Sequence, residues 1–142
     1  MPLAVSQVVV DCADAAALAG FWSAVVDRPV DPGANPFFAT VGRAVPGGTA
    51  LMFLKVEESK TVKNRVHLDL ASPSPETQAA LVDRLLGLGA TPADVGQGEV
   101  PWVVLADPEG NEFCVLEPRD RYRHTGPLAA VVLAAADPPG LA

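Results

Sequence analysis

The chain has 142 residues, with 10 basic and 17 acidic side chains, a net charge of −7 and an isoelectric point near 4.6. So acidic a chain repels phosphate instead of displacing its counterions, which makes nucleic acid and anionic lipid poor partners. The length suits one domain with a real core, its apolar runs are too short to span a bilayer, and two cysteines, Cys12 and Cys114, make no disulfide framework. The opening residues lack the basic region of a signal peptide, so the expected compartment is the cytoplasm, with no membrane partner.

Residues 5–10 are β-branched apart from Ser6 and Gln7 and predict a buried strand. Asp14 stands where a helix N-cap belongs, and Leu18, Phe21, Trp22 and Val25 then recur at helical spacing to give one apolar face. Pro29, Pro32, Gly33 and Pro36 end that helix in a loop. Residues 37–41 and 49–56 predict strands, with Gly47-Gly48 turning into the second, and residues 57–64 form a charged, solvated connection.

The pattern then restarts. Residues 65–70 alternate in polarity as a strand does, Ser74-Pro75-Glu76 opens a second helix, and Gly87 and Gly89 close it. Residues 91–95, 102–106 and 113–116 predict three more strands. Between the last two lies Asp107-Pro108-Glu109-Gly110-Asn111, where Asp, Pro and Gly take the first, second and fourth places of a type I turn. Gln7 and His67 are 60 residues apart, as are Asp14 and Ser74, Phe21 and Leu81, and Val26 and Leu86. This register argues for a duplicated supersecondary unit. A third start follows: Val131-Val132-Leu133, Asp137 and Leu141-Ala142 repeat Val8-Val9-Val10, Asp14 and Leu18-Ala19 at an offset of 123. It reads as the opening of another module or as a tail strand that covers a sheet edge or pairs with a partner subunit.

The Asp107–Asn111 run resembles the D-P-x-G-N signature that precedes the last strand in the vicinal-oxygen-chelate superfamily. That superfamily holds glyoxalase I, the bleomycin-resistance proteins and the extradiol dioxygenases, and more narrowly the chain resembles the glyoxalase-like domains common in high-GC actinobacteria. The resemblance covers residues 3–118 and implies an α+β fold. Two βαβββ modules, residues 1–60 and 61–118, would form a curved mixed sheet around one cleft, with residues 119–142 as a C-terminal extension. It also implies a homodimer.

Metal enzymes of this superfamily take four ligands, usually His, Gln or Glu, from the first and last strands of each module. Gln7 and His67 match the first-strand places. The fourth place after Gly110 is Cys114, 47 residues beyond His67, and the same step from Gln7 reaches Leu54. A quartet of Gln7, Leu54, His67 and Cys114 lacks both carboxylates and would neutralise a cation poorly, so no cofactor is expected. The alternative keeps Zn, Ni or Fe on Gln7, His67 and Glu112, as in a lyase, isomerase or dioxygenase with an atypical ligand set.

Strand parity puts His67 and Asp69 on one face, where Asp69 would orient the imidazole as a general base. Gln7, Leu54, Cys114, Phe53 and Trp102 are the expected ligand contacts, Trp102 as a stacking platform or a rim residue. The expected function is binding or conversion of an apolar or planar metabolite or antibiotic in the cleft between the modules, without a catalytic metal. A dimeric interaction module is the remaining class.

Overall fold

The computed structural model describes residues 2–141. The chain divides into two compact units, Met1–Ser59 and Lys60–Ala142, and the fold is mixed α+β with one sheet and one helix in each.

In the first unit, strand β1 (Gln7–Cys12) leads to helix α1 (Ala15–Val26), then to β2 (Phe38–Val41) and β3 (Ala50–Lys55). The sheet order is β1-β3-β2, with β1 parallel and β2 antiparallel to β3. Asp14 caps α1 by accepting from the Ala17 amide at 3.0 Å. Leu18, Phe21, Trp22 and Val25 are buried as the spacing requires, with Phe21 and Trp22 meeting edge to face at 5.5 Å. They pack with Ala39, Val41, Leu51 and Phe53 in the core. A further strand after the helix is reduced to one antiparallel bridge, Val30 to Val41. Pro29 and Pro32 flank Val30 and lack the N–H groups that a longer ladder needs.

In the second unit, β4 (Val66–Leu70) is followed by α2 (Pro75–Gly87), β5 (Thr91–Pro92), β6 (Val103–Ala106), β7 (Glu112–Val115) and β8 (Leu128–Leu133). The order is β5-β6-β7-β4-β8, with only β4 and β7 parallel. Ser74 caps α2 by accepting from the Thr77 amide at 3.1 Å. Leu68, Leu70, Leu85, Leu105, Phe113 and Val115 form the buried core.

The restarted C-terminal pattern becomes β8, which runs antiparallel along the outer edge of β4 with Val132 opposite His67 and Ala130 opposite Asp69. It thus covers an edge whose N–H and C=O groups would otherwise be open to another chain. The expected helix start beyond it is a short 3-10 turn, Pro139–Leu141, where the Gly140 amide donates to the Asp137 carbonyl at 3.2 Å. Ala142, the last residue of that repeat, lies outside the described residues.

The Asp107 turn sets where β7 begins. The Gly110 amide closes it on the Asp107 carbonyl at 2.9 Å, and Gly110 takes φ 87°, which a side chain would oppose. The Asp107 carboxylate is 2 % exposed and accepts from the amides of Glu109 and Asn111 at 2.9 and 3.0 Å and from the Asn111 side chain at 3.0 Å. Asn111 then accepts from Asn64 at 2.8 Å, fixing the segment that enters β4. Replacing Asp107→Ala strands these buried donors, and it should lower the urea-unfolding free energy by roughly 2–4 kcal/mol. A loss within experimental error would show that the turn does not hold the unit together.

Candidate functional site

Parity separates the two faces of each sheet. In the second unit Leu68 and Leu70 join the core, so His67 and Asp69 share the opposite face of β4. The β4–β7 register then sets Asp69 beside Cys114. His67 Nε2 lies 3.3 Å from Asp69 Oδ1, and the donor atoms of His67, Asp69 and Cys114 all fall within 4.8 Å of one another. Although His67 is within ion-pair reach, Asp69 Oδ1 is buried without a hydrogen bond.

This cluster is poorly solvated. Burial pushes the Asp69 carboxyl above its ordinary value, against the opposing pull of His67, Arg119 and the neighbouring Cys114 thiol. Burial, the Asp69 charge and the hydrogen bond to Asp69 push the Cys114 thiol up to about 11, against a smaller opposing pull from Lys63. Cys114 is therefore a neutral S–H donor at physiological pH and not a primed nucleophile.

The other predicted residues distribute unevenly. In the first unit, Gln7 and Leu54 lie on the sheet face away from α1, and Gln7 Nε2 approaches Met52 Sδ at 3.9 Å. Phe53 faces the other way and is 0 % exposed in the α1 core, so its aromatic ring is a packing residue. Parity along β3 makes this unavoidable, since neighbours in a strand face opposite sides. In the second unit, Glu112 is engaged elsewhere: it accepts from Lys60 Nζ at 2.7 Å and the Asn64 amide at 3.2 Å. Burial raises its carboxyl, but the Lys60 hydrogen bond, the Asn64 amide and the Lys60 charge outweigh that and hold it below its ordinary value. It anchors the connection into β4.

Trp102 is half-buried, and its Nε1 donates to Gln97 Oε1 at 2.8 Å. Two residues of this region carried no sequence signal. Arg119 sets its guanidinium 5.9 Å from the Trp102 ring centre and donates from Nε to Glu117 Oε1 at 2.6 Å. They sit beyond the last predicted strand in no motif, and only their position after β7 in the fold brings them to Trp102.

The fold, the Asp107 turn and the duplicated order meet in the comparison with known proteins. A family model for the glyoxalase-like domain matches residues 7–116. The chain belongs to the glyoxalase-like domain family. Among solved structures, a glyoxalase-related enzyme from Fulvimarina pelagi superposes with a TM-score of 0.64 at 18% identity, covering 94% of this chain and 100% of that one. A glyoxalase/bleomycin resistance protein/dioxygenase family enzyme from Burkholderia phytofirmans PsJN gives 0.61 at 21%, covering 78% and 94%. A possible glyoxalase from Bacillus cereus gives 0.60 at 18%, covering 81% and 99%. At these identities the likeness is one of fold. No curated protein matches the chain. Among the described residues of this glyoxalase-like domain, no helix is long and apolar enough to cross a membrane.

Many proteins of this superfamily use a metal, so the donor set bears on the chemistry. His67, Asp69 and Cys114 offer a nitrogen, an oxygen and a sulfur, a mixture that suits a zinc-like ion. The unbonded Asp69 Oδ1 also fits such an ion. Holding one requires the ion to displace the thiol proton.

The thiol gives a direct test. Labelling of Cys114 by iodoacetamide, followed by mass spectrometry, should be slow at pH 8 and rise through about pH 11. Asp69→Asn should move that midpoint down, because it removes the charge opposing the thiolate. The folded thiol sits above its ordinary value of 9.0, so its contribution to stability is complete below pH 9 and is lost as pH rises through about 11. Rapid labelling at pH 7 would contradict this picture.

Proposed function

We propose that this glyoxalase-like domain binds a small organic molecule through the His67–Asp69 pair of its second unit, without a catalytic metal. One observation carries the reading: an imidazole and a buried carboxylate stand 3.3 Å apart on the face turned away from the core, with a neutral thiol beside them. In the tautomer with its proton on Nε2, His67 faces Asp69 through that N–H and leaves the Nδ1 lone pair for a ligand. Nδ1 then accepts a proton from a ligand O–H or acidified C–H. The resulting imidazolium is stabilised by Asp69, which makes the pair a general base with its orienting group. Binding alone uses the same lone pair as a hydrogen-bond acceptor.

A thermal-shift screen over aromatic and dicarbonyl metabolites tests the proposal. A ligand that binds only the folded form raises the melting temperature by mass action. The reading expects at least one such ligand, with the rise lost in both His67→Ala and Asp69→Asn. An undiminished rise in both variants would remove the pair from the site.

A second reading is favoured by the unbonded Asp69 oxygen: a zinc-like ion held by His67, Asp69 and Cys114, supplying Lewis-acid chemistry. Elemental analysis separates the two. Sub-stoichiometric metal in purified protein supports the first reading, and one equivalent that disappears in Cys114→Ser supports the second. By family resemblance we also take the protein to be a cytoplasmic homodimer, which light scattering of the purified chain would check.

A further inference from the structure

A cavity of about 510 Å³ opens in the second unit beside β6, and its walls come from one continuous stretch, residues 93–104. That volume is in the range of small-molecule sites. Val95, Val100 and Val104 give it apolar walls, Trp102 gives it an aromatic one, and Asp94 and Glu99 are its charged residues. The stretch has no Lys, Arg or His.

Four features make this more than an acidic loop. The indole is held in place, because its N–H is already committed to Gln97 at 2.8 Å. A ring so fixed presents its face without losing freedom on binding. The Arg119 guanidinium already stands over that ring, 5.9 Å from its centre and within cation–π reach. Arg119 brings little net charge to the neighbourhood, because Glu117 neutralises it at 2.6 Å. Asp94 and Glu99 are both exposed; Asp94 Oδ1 already accepts from the Gly96 amide at 2.8 Å, so a bound cation would meet the other Asp94 oxygen and the Glu99 carboxylate without their desolvation. Gly98, with φ 68° and nothing within 4 Å of where a Cβ would stand, leaves the mouth open on that side.

We propose that this cavity binds a small organic cation, a protonated amine or amidinium on an apolar or aromatic body, with Trp102 as its wall and Asp94 and Glu99 as its counter-charges. The apolar body meets the valines and the indole, and the cationic head meets the carboxylates. This assignment uses none of the atoms of the His67–Asp69 pair.

Three probes of similar size and different charge test it: benzylamine, benzyl alcohol and benzoate, followed by the indole N–H signal of Trp102 in ¹H–¹⁵N spectra. Benzylamine should move that signal saturably, benzyl alcohol should bind about tenfold more weakly, and benzoate more weakly still. The double variant Asp94→Asn, Glu99→Gln changes two exposed side chains and should keep the fold while bringing benzylamine down to the level of the alcohol. Equal binding of amine and alcohol by the wild type would overturn the assignment. So would tighter binding of benzoate, or no saturable movement with benzylamine. Because Asp94 and Glu99 lie outside the His67–Asp69 pair, any of these failures leaves the reading of that pair standing.

Discussion

The second unit depends on one buried carboxylate. Asp107 is almost wholly excluded from water, and three N–H groups of its own turn converge on its carboxylate. That requirement fixes the turn geometry, and the turn fixes the residue at which β7 starts. A strand that began one place later would turn Cys114 into the core and Phe113 out of it. The pairing of Asp69 with Cys114, and with it the polar cluster, follows from the conformation of five residues at the other end of the strand. Asn111 extends the same constraint to Asn64 and the entry of β4. The D-P-x-G-N run thus has a mechanical role in this chain.

The cluster itself is a competition among groups that burial disfavours when charged. Asp69 and Cys114 are both buried, and desolvation opposes the Asp69 charge while His67 and Arg119 pull the other way. Cys114 answers by keeping its proton and donating it to Asp69, which is cheaper than placing a second anion beside the first. An imidazole next to a carboxylate and a neutral thiol is an arrangement for holding and moving protons. It becomes an arrangement for holding a cation only if the thiol proton leaves. Glu112, the nearest carboxylate that sequence pattern offered as a further ligand, is tied to Lys60 and Asn64.

What was legible in the sequence was local. Asp14 and Ser74 were readable as caps because a cap acts on an amide three residues away. The Asp107 turn and the shared face of His67 and Asp69 were readable for the same reason. The face of Phe53 was not, since alternation in β3 tells that Phe53 and Leu54 point apart without telling which one meets α1. The partner of β8 was equally hidden. Its likeness to β1 marked it as a strand, and only the folded sheet shows it on β4. Arg119 and Glu117 had no pattern at all, because their relation to Trp102 depends on where the chain returns after β7. The single bridge at Val30 was foreshadowed by its two flanking prolines, yet the duplicated order suggested a full strand.

The role of His67 as a base depends on which of its ring nitrogens carries the proton when Nε2 faces Asp69. Long-range ¹H–¹⁵N correlation of the histidine side chains, recorded at alkaline pH where imidazole is neutral, reads this directly. The proton should reside on Nε2, toward the Asp69 carboxylate, with Nδ1 free as the acceptor, and Asp69→Asn should weaken that preference. A proton on Nδ1, leaving the Nε2 lone pair directed at Asp69, would contradict the proposed base and favour an ion between the two side chains.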